Sequence, residues 1–408
     1  MINKQLLVTR WMDGIVTALI HENRTVELSF EAVEHQSLVG NIYTAKVTKI
    51  VNSIHAAFVE IEGGISCYLD LSKSDYLIRT SGKKTGEPVV GDELLVQTVR
   101  DAVKTKAPMV TSEISLAGRY LVLNIGNPKI FYSSKLPQES RDRLRVLIEE
   151  ELGKTEERSV PFGWIVRTNA ADAEPEALLT ELHQLESAAE TLLAQAPHRP
   201  IRTCMYRSPS EYLNRIRDLR PDDYEEVLTD DPLLFEELSD WLTQHQPEDL
   251  EKLRLYKDRL LPMHKLYSLN TRFEEALSEQ VWLKSGGTLV IQPTEALTVV
   301  DVNSGKYVGG RRQEETFLKI NLEAAVETAR QLRLRNISGI ILIDFINMKS
   351  KEAKEEVIRV LSKALKADPQ KAVFVDMTSL GLVEVTRKRG KVPFSEQLGR
   401  ERRASLRS

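Results

Sequence analysis

Apolar and polar positions alternate through much of the first third of the chain. From Gly40, the runs NIYTAKVTKIV, HAAFVEI and SCYLDL, then the polar stretch SGKKTGEPVVGD and the run ELLVQTVRD, repeat with a period of two and carry many β-branched residues. That pattern predicts short strands, and four or five of them joined by glycine-containing turns predict a small barrel. Ahead of it, GIVTALI and TVELSFEA flank the polar turn His21-Glu22-Asn23-Arg24, so the first 34 residues read as strand and hairpin, too few to fold alone.

The period then lengthens. Residues 139–152 and 174–196 read as helices, and in the second Leu178, Leu182, Leu185, Ala189 and Leu192 fall on one stripe. A coiled coil would need that stripe to continue beyond about three heptads, so a core-facing helix is the preferred reading. Between the two, VPFGWIVRTNA predicts a strand ending in a polar turn, and PSEYLNRI to PEDLEKLRLY predicts short helices among prolines. After about residue 277 the order is strand TLVIQP, strand ALTVVDVN, a helix over 314–335, strand GIILIDF, a helix over 351–366 and strand KAVFVDM. Strand, helix, strand, helix, strand predicts a parallel α/β unit.

At 408 residues, two to four domains are expected, and a composition of 41% hydrophobic and 28% charged residues is that of a folded protein. The opening MINKQLLVTRW lacks an apolar core, and no stretch is apolar over the ~20 residues a bilayer needs, so a soluble, cytoplasmic protein with no membrane partner is expected. Cys67 and Cys204 are the only cysteines and lie too far apart for a C-x-x-C zinc pair. The net charge of −4 gives no global basic field, which leaves local patches for any nucleic-acid contact. Lys83-Lys84, Lys104 with Lys106, the run Arg330, Arg333, Arg335, then Arg387-Lys388-Arg389 and the tail RERRASLR are such patches, each more often a solvated face.

Candidate chemistry sits at two strand ends. Asp301 closes LTVV and Asp344 closes GIILI, and a single crossover helix would bring these two carboxyl ends side by side. Neighbouring carboxylates repel unless a cation lies between them, and hard oxygen ligands without cysteine or histidine favour Mg²⁺, or Mn²⁺ in its place, over zinc. Asn303, two positions on, projects to the same side and could orient a phosphate oxygen or a water; Lys306, Arg311 and Arg312 follow. Cations beside a metal are what a phosphodiester transition state requires. The histidines at 21, 35, 55, 183, 198, 245 and 264 have no ligand spacing and none lies between 301 and 344. A Gly-x-Ser-x-Gly elbow is absent, and SGKKTG is not a phosphate loop because Leu77 stands where its first glycine belongs.

DVNSG at 301–305 and NLEAAVETARQLRLRNISGIILIDFINM at 321–348, with SLAGRYLVL and GWIVRT upstream, closely resemble the bacterial ribonuclease E/G family, and the resemblance covers nearly the whole chain. It implies an α/β multi-domain protein: a discontinuous RNase H-like subdomain (1–34 with 213–276), an inserted OB-fold RNA-binding barrel (35–116), a 5′-sensor subdomain (117–212), a DNase I-like catalytic subdomain (277–400) and a basic tail (401–408). It further implies a metal-dependent endoribonuclease that cuts single-stranded RNA to 5′-phosphate and 3′-hydroxyl ends in RNA processing or decay. Asp301 and Asp344 would hold Mg²⁺, with Asn303 positioning water or phosphate and Lys306 beside the RNA.

Phe58 and Tyr68 match the family's base-stacking aromatics and Lys106 a basic RNA contact; for Phe58 the alternative is barrel core. Gly118, Val122, Arg167 and Thr168 match the pocket for a 5′-monophosphate, and the family's further sensor arginine falls on Lys371, which lacks the bidentate fork. Asn347 stands where relatives often carry aspartate, one outer carboxylate fewer. The zinc-binding C-P-x-C segment is missing, so no zinc is expected and a homodimer is favoured over a zinc-linked tetramer. Two rival readings are a non-catalytic RNA-binding module, which the intact Asp301, Asn303 and Asp344 oppose, and a DNA-directed phosphodiesterase, which the RNA-type barrel opposes.

Overall fold

The hairpin of the N-terminal sheet closes on Glu22 and Asn23, both with positive φ (48° and 62°), the backbone that lets a two-residue turn follow the twist of its strands. The computed structural model describes residues 3–32, 37–73, 76–81, 86–102, 106–153, 160–258, 260–305, 313–390 and 392–405. They divide into two units, one of Met1–His35, Pro221–Asp240 and Asp249–Ser408, the other of Gln36–Arg220 and Trp241–Glu248.

The first unit holds two sheets. In one, Lys4–Trp11, Gly14–His21 and Arg24–Ala32 form an antiparallel meander, and Glu226–Thr229 and Leu253–Leu255 extend it in parallel beyond Lys4–Trp11. Its apolar face packs on Met263, Leu269, Phe273 and Phe394. The other sheet has the order Gln280–Trp282, Thr288–Pro293, Leu297–Asn303, Gly339–Asp344, Val383–Arg387, Ala372–Met377. The helices Gln313–Leu334 and Lys351–Lys366 lie where the sequence places them, and their Ile320, Ala324, Ala325, Val357 and Leu361 share a core with Leu289, Ile291, Val300, Ile341 and Ile343 of the sheet.

This sheet is mixed rather than parallel, which corrects the expectation from the element order. Only Leu297–Asn303 and Gly339–Asp344 pair in parallel; Val383–Arg387, a strand not foreseen, inserts antiparallel between Gly339–Asp344 and Ala372–Met377. A hairpin return needs only a few residues after Ala372–Met377, whereas a second crossover would need another helix. Arg387 at the end of that strand is almost fully buried and locks it down. Its Nε and Nη2 meet Asp368 at 2.7 and 3.3 Å, and its Nη1 donates to Asn336 Oδ1 (2.9 Å) and the Ile337 carbonyl (3.1 Å).

The arginines of the 330–335 run also turn inward, against the expectation of a solvated face. Arg330 pairs with Glu327 and reaches the Thr25 carbonyl, Arg333 pairs with Glu27, and Arg335 bonds Gln331 and the carbonyls of Ser278 and Glu275. Each spends its fork on tying the long helix to neighbouring elements, which leaves no basic stripe there for a ligand.

In the second unit, Ile42–Val51, Ala56–Glu60, Ser66–Asp70, Met109–Thr111 and Glu93–Arg100 pair in turn, and Ile42–Val51 pairs again with Glu93–Arg100, closing a five-stranded barrel compatible with an OB-fold. A second sheet, Ile130–Tyr132, Phe162–Val166, Leu121–Ile125, Ser115–Ala117, packs on the helices Gln138–Leu152 and Pro175–Gln195. Leu178, Leu182, Ala189 and Leu192 are buried there, as a core-facing helix requires. Among the described residues no helix is long and apolar enough to cross a membrane.

Removing Asp368 would strand a buried guanidinium next to the strand that ends in Asp344. Asp368→Ala is expected to cost about 3–5 kcal/mol, read as a lowered urea midpoint. Asp368→Asn, which keeps an acceptor for Arg387, should cost less.

Candidate active site

Asp301 and Asp344 are direct partners in the parallel ladder, residue opposite residue, on strands whose preceding pair is Val300 and Ile343. Neighbouring strands lie roughly 4.8 Å apart, so the two carboxylates start from adjacent backbone positions on the same face of the sheet. Val300, Val302 and Ile343 point into the helix-covered core, and alternation turns Asp301, Asn303 and Asp344 to the opposite face. Asp344 and Asn303 are exposed and Asp301 is partly so. Asn303 Nδ2 donates to Asp301 Oδ2 at 2.7 Å, which sets the rotamer of that carboxylate and leaves Oδ1 for another partner.

Residues that the sequence did not single out hold the loops around this pair. Buried Asn321, on the long helix, grips Ile346 twice: its Nδ2 donates to the Ile346 carbonyl (2.8 Å) and its Oδ1 accepts from the Ile346 amide (3.0 Å). Glu314 accepts from the amides of Lys349 and Ser350 at 2.8 and 3.0 Å. The segment after Asp344, including exposed Asn347, is therefore fixed from the helix that crosses over between the two aspartate strands. On the Asp301 side, Glu323 accepts from the amides of Lys284 and Ser285 (2.6 and 2.8 Å); burial opposes its ionisation, but these bonds outweigh that and hold its pKa below the ordinary value. Gly305, with φ +67°, passes so close to the Gly286 carbonyl that a Cβ would lie 2.4 Å from it. Lys306, Arg311 and Arg312 lie outside the described residues.

The donor set fits a hard divalent ion. Two carboxylates at one register position, partly open to water, suit a cation that keeps several waters of its own. Among the described residues no group of three or more His, Cys, Asp or Glu side chains is placed to hold a metal.

The remaining site residues belong to the barrel unit, except Lys371, which is exposed ahead of Ala372–Met377 in the other unit. Phe58 and Tyr68 are cross-strand partners on the barrel's outer face, with ring centroids 6.1 Å apart in an edge-to-face pair. The barrel core takes Ala57, Val59, Ile61, Cys67 and Leu69 from these strands and their ends, and Phe58 is not one of its members. Exposed Lys106 precedes Pro108, whose carbonyl accepts from the Tyr68 amide at 2.8 Å.

Gly118 lies at the tight turn between Ser115–Ala117 and Leu121–Ile125, where Val122 pairs with Ala117 and Ile165. The turn is wrapped around Glu181, whose carboxylate accepts the amides of Arg119, Tyr120 and Leu121 at 2.7 to 2.8 Å. A Cβ at Gly118 would collide with that carboxylate at 2.3 Å. Arg167 donates from Nη1 to the Gly118 carbonyl (2.6 Å) and from Nη2 to Asp218 Oδ1 (2.8 Å), and the Thr168 hydroxyl pairs with Ser133 Oγ at 2.8 Å. Arg217 also meets Asp218 Oδ1, through Nε at 3.0 Å. Arg167 and the Gly118 carbonyl are thus joined directly, Asp218 and Arg217, neither foreseen from the sequence, tie into the same turn, Val122 lies on the adjoining strand and Thr168 follows Arg167 with its hydroxyl on Ser133. A separate open groove of about 760 Å³, lined by His183, Ser187, Thr191, Met205 and Tyr206 among others, contains none of the candidate residues.

Strand-end carboxylates on an α/β sheet, joined in one chain to a small barrel, define a class of protein that comparison resolves further. The model described as the Ribonuclease E/G family matches residues 115–390, a span that includes both aspartates and the Gly118 cluster. The chain belongs to that family. It is 33% identical to Ribonuclease G of Haemophilus influenzae over 388 residues, covering 91% of this chain and 77% of that protein. It is 32% identical to Ribonuclease G of Escherichia coli over 376 residues (89% and 75%). Against Ribonuclease E of a Nostoc species the identity is 34% over 385 residues, 92% of this chain and 54% of the relative.

Burial works against the ionised form of Asp218, yet the charges and hydrogen bonds of Arg167 and Arg217 overcome it and bring its pKa from 3.8 down to about 2. Because the folded value is the lower one, the ion pairs contribute fully above pH 4 and are lost as the pH falls toward 2. Asp218→Asn is expected to cost about 2 kcal/mol at pH 7. In urea unfolding series the deficit should shrink between pH 4 and pH 3; a deficit independent of pH would contradict the assignment.

Proposed function

We propose that this chain is a divalent-cation-dependent endoribonuclease acting on single-stranded RNA in cytoplasmic RNA processing or decay. The observation that carries the reading is the side-by-side register of Asp301 and Asp344 on the sheet face opposite the two helices, with Asp344 exposed and Asp301 partly so. Family membership supports RNA as the substrate, since the relatives are named as ribonucleases. The strand order of the N-terminal sheet supports an RNase H-like subdomain, the closed barrel an OB-fold, and the mixed sheet with its two helices a DNase I-like catalytic subdomain.

Asp301 and Asp344 would hold Mg²⁺, which when bound supplies positive charge at the scissile phosphate and makes water a better nucleophile near neutral pH. The chain's own residues do the rest. Asn303 fixes one oxygen of Asp301, so the other would be available to the ion in a constant orientation. Asn321 and Glu314 hold the segment behind Asp344, and Glu323 the turn beside Gly305, so that the carboxylates are already in place when RNA arrives. In-line attack on the phosphorus, with departure of the 3′ oxygen, leaves 5′-phosphate and 3′-hydroxyl ends.

Phe58 and Tyr68 offer ring surfaces on the outside of the barrel on which bases can stack without regard to sequence, and Lys106 a cation for the backbone. The Gly118 cluster, with a guanidinium and a hydroxyl at Arg167 and Thr168, is the pocket for a 5′-monophosphate.

Loss of an outer-shell group typically costs 10–100-fold, so Asp301→Asn or Asp344→Asn should reduce cleavage by more than about 100-fold while single-stranded RNA still binds. Undiminished cutting by either variant, followed by end-group analysis with and without Mg²⁺, would refute the metal pair. Phe58→Ala is expected to weaken RNA binding by about 1–3 kcal/mol, measured by titration; an unchanged affinity would remove the stacking role. A 5′-monophosphorylated substrate should be cut faster than its 5′-hydroxyl twin, with Arg167→Ala erasing the difference.

A further inference from the structure

We infer that Arg217 is a second phosphate-binding guanidinium of the 5′-end pocket, paired with Arg167 across Asp218. The inference rests on the 5′-monophosphate reading of the Gly118 cluster and adds a residue that neither the sequence nor the comparisons single out.

The two arginines are held in matching ways. Arg167 spends Nη2 on Asp218 Oδ1 (2.8 Å) and Nη1 on the Gly118 carbonyl (2.6 Å). Arg217 spends Nε on the same Asp218 oxygen (3.0 Å) and Nη1 on the carbonyl of the preceding residue, Ala117 (3.3 Å). Two guanidiniums thus converge on one carboxylate oxygen and on consecutive carbonyls of one strand end. Asn169, two residues after Arg167, donates toward the Asp218 and Leu219 carbonyls at 3.4 and 3.3 Å and steadies the end of the helix that carries both Arg217 and Asp218.

Donor counts then leave room for an anion. One Asp218 oxygen serves both guanidiniums, and the Glu181 carboxylate, which acts on Arg167 as well, is already taken up by three backbone amides; two guanidiniums held this close are stabilised when a further anion joins them. Each guanidinium has five N–H donors, of which the bonds above use two, so N–H groups remain on both. Neither side chain is sealed away, with 24% of Arg167 and 16% of Arg217 exposed. A terminal monophosphate has three oxygens and up to two charges, enough to engage both forks and the Thr168 hydroxyl; a 5′-hydroxyl has neither. Asp218 is a positioning residue in this arrangement. It orients both forks and lowers the cost of keeping them adjacent before RNA binds.

The test uses the full chain and two short 2′-O-methylated oligonucleotides, which resist cleavage and differ only in a 5′-monophosphate or a 5′-hydroxyl, titrated by fluorescence anisotropy. The readout is the ratio of the two dissociation constants. The parent should prefer the phosphorylated oligonucleotide, and Arg217→Ala should reduce that preference by about tenfold, the worth of one charge-assisted contact. Arg217→Lys, which keeps the charge and loses the fork, should fall between them. A purely structural arginine would instead weaken both oligonucleotides in proportion, lower the melting temperature and leave the ratio intact. If Arg167→Ala abolishes the preference and both Arg217 variants retain it, the inference is overturned and the 5′-end reading stands. If the parent binds both oligonucleotides equally, both fall. Should Arg217→Ala fail to fold, the lysine and glutamine variants at that position carry the same comparison.

Discussion

The register between two neighbouring parallel strands decides whether this protein has a site at all. A slip of one residue would turn either aspartate into the helix-covered core and bring a valine or isoleucine out in its place. The observed register, with Val300 beside Ile343 and Asp301 beside Asp344, is enforced from below by burial. Val300, Val302, Ile341 and Ile343 have an apolar bed only in this phase. The buried Arg387–Asp368 pair pins the strand on the far side of Gly339–Asp344. Packing on one face thus places charge on the other, where it is in contact with water and open to a cation.

Carboxylates elsewhere are used in the opposite sense. Glu181, Glu314 and Glu323 each accept two or three backbone amides and serve as internal anchors for turns. An ionised acid surrounded by amide donors is satisfied and rigid. Asp301 receives one side-chain amide, from Asn303, and keeps an oxygen in reserve. The contrast separates acids that build loops from acids that can do chemistry, and the preorganised loops in turn limit how far the two aspartates can drift apart.

Much of this was legible in the sequence where local pattern and tertiary need agree. Strand alternation located LTVVD and GIILID, and one crossover helix of 22 residues between them made their carboxyl ends neighbours. The barrel strands and the core stripe of Pro175–Gln195 were legible for the same reason. The strand Val383–Arg387 was not, because five residues beside a basic run carry too little periodicity, and its insertion turned an expected parallel sheet into a mixed one. Arg330, Arg333 and Arg335 were misread because charge alone does not reveal a partner more than 300 residues away in sequence, as Glu27 is for Arg333. Asn321, Asp218 and Arg217 escaped for a related reason: their roles exist only through contacts that fold-level proximity creates. Lys306 was assigned by spacing and lies outside the described residues.

The proposed sharing of one divalent ion by Asp301 and Asp344 at the rim of the sheet is directly testable. Fe²⁺ substituted for Mg²⁺ and exposed to peroxide and ascorbate generates hydroxyl radicals that cut the polypeptide close to the bound metal, and mass spectrometry locates the cuts. Two clusters of Mg²⁺-competed cuts are expected in the same protein, one around Asp301–Ser304 and one around Asp344–Asn347. Cuts at one segment only, or at neither, would contradict a shared ion.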